Sequence, residues 1–188
     1  NDYNVKFLPE TQYIKINFKR KVLKYKKKNR NTFFLETYKN SIFVVTKYGE
    51  ILRINLDQLK NKSKNLPYKK IETINLINIP GYILDTLIIE DKIYISKVSK
   101  YKNCKKLEIF SADILDEILN FNIFKTFDEC ANIGIGAGRI INYKLKDQQG
   151  ILLSTADSDN DKPGQKSQDE NSIFGKILFI NLKSKQYK

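Results

Sequence analysis

The decapeptide YGEILRINLD at residues 48–57 recurs further along the chain as FGKILFINLK at residues 174–183. Both copies place an aromatic residue before a glycine and continue as Ile-Leu-x-Ile-Asn-Leu, so apolar and polar residues alternate as they do in a half-buried strand. Composition alone does not explain agreement over this length, and we interpret the pair as an internal repeat. Asn55 and Asn181 hold the same place in it, which favours a turn or ladder role for both.

A strand-turn-strand unit precedes the decapeptide in both copies, and a third unit of the same kind lies between them. Its strands are short runs rich in Ile, Val, Phe and Tyr, separated by Asn, Asp, Gly and Lys. Phe43, Ile93 and Ile151 serve as equivalent points, and the copies follow one another at a spacing slightly longer than that of common propeller blades. The predicted strands are 33–38, 42–46, 48–57 and 69–76 in the first copy, 83–89, 93–96, 106–110 and 123–129 in the second, and 138–141, 151–155 and 174–183 in the third.

The repeat predicts an all-β chain, a β-propeller fragment of about three four-stranded antiparallel blades. Tandem units of this kind are typical of propellers, whose radial packing leaves only short, protected sheet edges. We expect one partial domain over residues 1–188, with a leading strand at 13–18 and blades at about 31–76, 81–130 and 136–188. An open sandwich of the same strands is the alternative fold.

Three blades do not close a ring, so the remaining blades of the propeller are expected beyond residue 188. The chain contains no Met, not even at position 1. We therefore expect it to be processed, trimmed or a piece of a longer protein. A short helix at 111–119 is also expected, because the segment begins with a capping Ser and carries acidic residues in its first turn.

The composition excludes several enzyme classes. The chain has no His, so it holds no Ser-His-Asp triad, Cys-His dyad, His-ligated zinc or imidazole base.

Lys and Arg total 34 against 21 acidic residues, a net charge of +13. The excess is nearly all Lys, whereas phosphate-binding surfaces usually also use Arg forks, so nucleic acid is not the expected partner. The basic segment at 19–30 is the one candidate polyanion site, with a solvated loop as the alternative.

The chain has two cysteines, Cys104 and Cys130, each close to a predicted strand. A disulfide between them would stabilise the fold by roughly 3–4 kcal/mol through the loop that it closes, and it would indicate an oxidising compartment. Two reduced, buried thiols in a cytosolic protein are equally compatible with the sequence.

The most apolar stretch, 71–89, is interrupted by charged residues, Asn, Gly and Pro, so we expect no membrane span.

Two loops near the third copy are candidate ligand sites. Asp157, Asp159 and Asp161 alternate with Ser and Asn, as oxygen ligands do around calcium, but the Gly and Glu of an EF-hand loop are absent, so a solvated acidic loop is the alternative. The glycines of GIGAG at 134–138 lack a phosphate-binding spacing, and we interpret them as allowing close approach of the backbone. Beside them, Arg139 can bind an anionic ligand or pair with a carboxylate from a neighbouring blade.

The third copy resembles the glucose/sorbosone dehydrogenase family. The resemblance implies a six-bladed propeller, usually periplasmic or extracellular, of a kind that often uses pyrroloquinoline quinone to oxidise sugars. It also implies a ligand pocket close to the propeller axis, which Ile135, Gly136 and Arg139 would face. The runs that carry the resemblance are AGRI at 137–140, ILLSTAD at 151–157 and SIFGKILFINL at 172–182.

One departure from the family bears on function. Its quinone enzymes have a catalytic histidine a few residues before the Gly-Arg pair, where this chain has Ile135. Isoleucine cannot take a proton, and a positioned base contributes about 10²–10⁴ in rate. We therefore expect a non-catalytic or degenerate propeller that binds a carbohydrate or a protein partner. There are two alternatives. One is a sugar dehydrogenase that uses pyrroloquinoline quinone and calcium with another base, and the other is a polyanion-binding basic protein.

Overall fold

The structure is a computed structural model. It describes residues 32–60, 64–114, 117–131, 136–157 and 164–188 with their side chains, residues 21 and 23, and the backbone of residues 4–6 and 15–17. Within these ranges most residues belong to strands, so the all-β prediction is confirmed. No helix in the described part of the chain is long and apolar enough to cross a membrane.

The strands are short and follow one another with few helical interruptions. A 3-10 helix at Leu56–Lys60 and helix α1 at Gln165–Gln168 lie between them. The strands are β1 Asn4–Lys6, β2 Lys15–Asn17, β3 Phe33–Tyr38, β4 Ser41–Thr46, β5 Ile51–Asn55, β6 Lys69–Ile74, β7 Gly81–Ile89, β8 Lys92–Tyr101, β9 Cys104–Asp113, β10 Ile118–Asn120, β11 Asn122–Thr126, β12 Ala137–Leu145, β13 Gln148–Thr155 and β14 Ile177–Asn181.

Three sheets account for most of these strands. The first sheet has the order β10-β6-β5-β4-β3, the second β11-β9-β8-β7 and the third β12-β13-β14. All pairings are antiparallel except that of β10 with β6. The strands expected to complete the first two copies are present as β6 and β11, and β2 covers part of the expected leading strand, where it pairs with β1.

Each sheet begins with a hairpin whose two-residue turn has the same shape. The first residue of the turn has a positive φ in all three: Lys39 at 49°, Glu90 at 53° and Lys146 at 54°. The turn of a hairpin fixes the register of the two strands that it joins. These turns therefore give a common origin for comparing positions in the three sheets.

Counted from the turns, Val44, Ile95 and Ile151 hold the same position, so the points chosen from the sequence were shifted slightly in the first two copies. Each of the three residues is buried on the side of its sheet that faces the preceding part of the chain. Val44 packs with Leu23, Ile95 with the first sheet and Ile151 with the second. The sheets are therefore stacked front to back in one repeated orientation.

Apolar cores fill the two spaces between the sheets. The core between the first and second sheets includes Phe43 and Phe110, and the core between the second and third includes Ile109 and Ile151. Each of these side chains is almost completely buried. Burying one such side chain contributes about 1.5–3 kcal/mol, so the stacking of the sheets stabilises the fold.

The first strands of the three sheets lie side by side, with β7 between β3 and β12. Thr32, just before β3, accepts a hydrogen bond from the amide of Lys47 at 3.0 Å, and Lys47 accepts one from Ile83 of β7 at 2.8 Å. We call the place where β3, β7 and β12 begin, around Thr32, Ile83 and Ala137, the inner end. Among the described residues the sheets do not close into a barrel or ring.

The prediction of a helix at 111–119 is wrong. β9 continues through Ser111 to Asp113, and β10 follows at Ile118–Asn120. Ser111 pairs with Tyr94 on one side and with Asn122 on the other. Pairing on both sides outweighs the local capping and charge preferences of this segment.

The two decapeptides have the same local structure. They form β5 and β14, and each asparagine closes a turn after its strand. Asn55 accepts the amide hydrogen of Asp57 through its side-chain oxygen, and Asn181 accepts that of Lys183, both at 2.8 Å. The prediction of a turn or ladder role is therefore confirmed, since each asparagine ends its ladder and accepts a hydrogen bond in the turn that follows.

Candidate functional site

The second and third sheets meet at the inner end through two irregular strand segments. β7 has a bulge between Ile83 and Asp85, and β12 has one between Ala137 and Ile140. A bulge interrupts the ladder and leaves backbone groups that need other partners. Side chains of the neighbouring sheet supply these partners.

Asp85 is the most connected of these side chains. It is 8% exposed, and its Oδ2 accepts the amide hydrogen of Ile140 at 2.9 Å. Its Oδ1 lies 3.5 Å from Nη1 of Arg139, whose side chain is 72% exposed. Arg139 thus pairs with a carboxylate of the neighbouring sheet, the second of its two predicted roles. Most of its side chain is still exposed, where it can meet a ligand.

Ser96 and Gly138 form a second link between the same sheets. The hydroxyl of Ser96 donates to the carbonyl oxygen of Gly138 at 2.5 Å. Gly138 has a φ of +88°, and a Cβ there would lie 2.2 Å from Cδ1 of Leu84. The glycine is therefore required by the close approach of β12 to β7.

Of the other predicted ligand-facing residues, Gly136 is described and Ile135 lies outside the described residues. The carbonyl oxygen of Gly136 accepts the amide hydrogen of Ala156 at 3.3 Å. A Cβ on Gly136 would lie 3.2 Å from the Cβ of Ala156. Gly136 therefore sits beside the chain that leaves β13, close to Arg139 and to the start of the acidic loop.

The predicted calcium loop is described only at its first residue. Asp157 accepts the amide hydrogen of Ser167 at 3.4 Å through Oδ2, whereas Asp159 and Asp161 lie outside the described residues. Calcium takes 6–8 oxygen ligands. In the part of the chain that the structure describes, no group of three or more His, Cys, Asp or Glu could hold a metal ion. The structure thus describes one of the three predicted ligands, and we derive no chemistry through calcium.

Pyrroloquinoline quinone carries several carboxylates. The resemblance assigns three residues to the ligand pocket near the inner end. Among those that the structure describes, Arg139 is the one that offers a positive charge. Both carboxylate oxygens of the nearby Asp85 are engaged by Ile140 and Arg139. The described residues therefore offer the quinone one positive charge, and no catalytic step follows from them.

A second carboxylate lies on the first strand of the first sheet. Glu36 of β3 is half-buried, and burial together with the negative charge of Asp85 raises its pKa, while a hydrogen bond from the amide of Ile88 opposes the rise. Glu36 and Asp85 thus bring two like charges to neighbouring first strands. The alternating pattern of β3 could have indicated Glu36, but nothing in the sequence places it near Asp85.

Cys104 and Cys130 form a disulfide with a Cα–Cα distance of 5.2 Å. The sequence left the bridged and the reduced states open. The bridge ties the segment after β11 to the start of β9, where Lys105 also pairs with Ala131. Next to it, the carboxylate of Glu129 accepts hydrogen bonds from the hydroxyl of Ser172 and the amide of Ile173 and pairs with Lys166.

Glu129 therefore attaches the loop before β14 to the second sheet, a role that sequence analysis missed. Glu108, also missed, is 1% exposed and accepts hydrogen bonds from the hydroxyls of Tyr101 and Thr126. Burial and the hydrogen bond to Glu108 raise the pKa of Tyr101 to about 12. Neither carboxylate stands out in the sequence, because each takes its partners from other strands or loops.

A comparison of the chain with models of protein families, with curated proteins and with solved structures found no match.

Proposed function

We propose that the chain is part of a β-propeller related to the glucose/sorbosone dehydrogenases and that it acts as a binding domain outside the cytoplasm. Its ligand, a carbohydrate or a protein, docks at the inner end, where Arg139 meets a negatively charged group. The observation that carries the proposal is the pair of Asp85 and Arg139. The buried carboxylate orients a guanidinium that remains 72% exposed.

The propeller assignment is supported by the repeated stacking of the sheets. In a propeller, each blade packs one face on the preceding blade and the other on the next. Val44, Ile95 and Ile151 follow this rule in the three sheets. Adjacent first strands are also what a central axis requires, and β7 lies between β3 and β12.

The outer face of the third sheet supports the presence of further blades. Ile141, Leu152 and Phe179 form one row across this sheet, and Ile141 is exposed, as is Ile177 on the same face. In the first two sheets the equivalent face is covered by the next sheet. Phe179 is already buried beside the C-terminal segment, and a further sheet of the same kind would bury Ile141 and Ile177.

A carboxylate suits Arg139 as the ligand group. Guanidinium groups bind carboxylates through two parallel hydrogen bonds, and these are stronger than bonds between neutral groups. Asp85 contacts Arg139 through one nitrogen, so the rest of the fork is available to a ligand. We therefore expect acidic saccharides to bind more tightly than neutral ones.

A binding role is favoured over sugar oxidation because the chain lacks the histidine base of the quinone enzymes. The disulfide between Cys104 and Cys130 supports a location outside the cytoplasm, since disulfides persist in oxidising compartments. Arrays of acidic and neutral oligosaccharides, followed by calorimetry on the selected ligand, test the proposal with the full chain.

Arg139→Gln is the decisive variant and Lys144→Gln its matched control, because Lys144 is exposed near the other end of the same strand. We expect Arg139→Gln to weaken binding of the acidic ligand at least tenfold and Lys144→Gln to leave it unchanged. Equal effects of the two substitutions would contradict the site. Dye reduction by the full chain with aldoses, pyrroloquinoline quinone and calcium would contradict the non-catalytic role.

A further inference from the structure

A small pocket opens between the first and second sheets, close to the inner end but separate from Arg139. It has a volume of about 120 Å³. Leu76, Ile77 and Pro80 contribute apolar wall, and the exposed residues Tyr48 and Ile77 lie on its open side. Lys97, which is 3% exposed, lines its buried side.

The ammonium group of Lys97 has a fixed direction. Its Nζ donates to the carbonyl oxygens of Leu76 at 2.5 Å and Ile79 at 2.7 Å. An ammonium group has three N–H donors, so these two bonds leave one donor for another acceptor. The two carbonyls belong to residues that line the pocket, which holds the ammonium group at its edge.

The positive charge of Lys97 has no carboxylate in direct contact among the described residues. Glu108 stands opposite Lys97 in the β8–β9 pair, and its Oε1 accepts hydrogen bonds from Tyr101 and Thr126. Its negative charge also acts on Lys97 through space, where it opposes the larger lowering of the Lys97 pKa by burial. A second cation lies nearby, because Nζ of Lys47 is 5.0 Å from the ring centre of Tyr82, and both residues line the pocket. The pocket therefore combines apolar walls with two positive charges.

We propose that this pocket binds a small carboxylate anion, with the carboxylate at Lys97 and Lys47 and a short hydrocarbon chain against Leu76, Ile77 and Pro80. The size fits a short carboxylate, since a water molecule takes about 30 Å³ in the liquid, so the space corresponds to roughly four water molecules. Inorganic phosphate or sulfate would leave the apolar walls without a partner. This site does not depend on the ligand proposed for Arg139.

Propionate is the probe, and propionamide, which has the same shape without the charge, is its neutral match. We expect propionate to shift the backbone amide signals of residues 47–49 and 76–82 in a saturable way in NMR titrations of the full chain. Propionamide is expected to bind at least tenfold more weakly. Equal binding of the two probes, or no saturable shift, would overturn the proposal.

Lys97→Gln is expected to weaken propionate binding at least tenfold, whereas Lys100→Gln, at an exposed position of the same strand, keeps it. Lys97→Gln removes a buried bonding group and can impair folding, so Ile77→Phe provides a second variant. Ile77 is 59% exposed, and a larger side chain there fills the pocket without entering the core. Unchanged affinity in Ile77→Phe overturns the site, whatever the outcome for Lys97→Gln.

The same titrations keep the two proposals apart. Arg139→Gln is expected to leave propionate binding unchanged, because Arg139 does not line this pocket. Loss of propionate binding in Arg139→Gln would assign the anion to the site at Arg139 and overturn the pocket as a separate binding site. Failure of the oligosaccharide arrays would leave the pocket proposal standing.

Discussion

Asp85 of β7 accepts the amide hydrogen of Ile140 of β12 at 2.9 Å, across the boundary between the second and third sheets. Both residues lie at bulges, where the ladders of their own sheets are interrupted. The same carboxylate orients Arg139. The junction that joins two sheets therefore also forms the candidate ligand site.

Asp85→Ala tests the structural half of this relationship. We expect it to lower the free energy of unfolding by about 1–3 kcal/mol, because the buried amide of Ile140 loses its acceptor. Asp85→Asn keeps one carbonyl oxygen and is expected to cost less. Urea unfolding followed by circular dichroism measures both, with the exposed Asp128→Ala as control. A loss no larger than that of the control would contradict the role of Asp85.

Gly138→Ala and Gly164→Ala separate steric contact from backbone strain. Both glycines have a left-handed conformation, with φ of +88° and +84°. A Cβ at Gly138 would collide with Leu84, whereas a Cβ at Gly164 has no atom within 4 Å. We expect Gly164→Ala to cost about 1–2 kcal/mol for the conformation alone and Gly138→Ala to cost clearly more.

The double variant Gly138→Ala with Leu84→Ala checks the cause. Removing the Leu84 side chain is expected to recover part of the loss, because the two residues are in contact and their effects are not additive. Thermal and urea unfolding provide the free energies. Similar losses of unfolding free energy in Gly138→Ala and Gly164→Ala would show that the close contact with Leu84 does not contribute to the effect.

Reduction of the disulfide is expected to destabilise the fold. The bridge closes a loop over a sequence separation of 26 residues, and a loop of this size corresponds to about 3–4 kcal/mol in the chain-entropy model. Cys104→Ser combined with Cys130→Ser should lower the urea midpoint by the same amount as dithiothreitol lowers that of the native chain. A native chain insensitive to dithiothreitol would contradict this expectation.

Glu36→Gln tests the raised pKa of Glu36. A carboxyl whose pKa is higher in the folded than in the unfolded state favours folding fully below its unfolded pKa, and this contribution is lost as the pH rises through the folded value. Burial and Asp85 raise the pKa of Glu36, so its charge opposes folding at neutral pH. We expect Glu36→Gln to raise the melting temperature at neutral pH.

Below the ordinary glutamate pKa of about 4.3, the two chains should melt alike, because Glu36 is then protonated and resembles Gln. The glutamine oxygen can still accept the amide hydrogen of Ile88. Glu72→Gln, at an exposed position of β6, is the control and is expected to show no such pH dependence. A shift of equal size at both pH values would contradict the electrostatic explanation.

The strands were predictable because apolar alternation and turn residues are local signals. The repeated decapeptide gave the equivalence of β5 and β14 and the turn role of Asn55 and Asn181. Ser111 shows the limit of local signals, since its helix-starting character is overridden by pairing with Tyr94 and Asn122.

The site was predictable only in part. Arg139 and Gly138 were singled out beside the third copy, and their position at a strand boundary follows from the glycines. The partner Asp85 lies in another sheet, and no periodicity within one strand connects the two residues. Lys97 carried a usable signal, because it is in phase with the buried Ile93 and Ile95 of the same strand, a position where a lysine needs a specific partner.

The strand β10 has a consequence for how the chain can fold. It lies between β9 and β11 in the sequence, yet it adds to the edge of the first sheet beside β6, with Leu119 opposite Thr73. During synthesis on the ribosome, that edge stays open until residue 120 has emerged, so the first sheet is incomplete until then. An excised fragment ending at residue 76 would present an unprotected rim and is expected to self-associate.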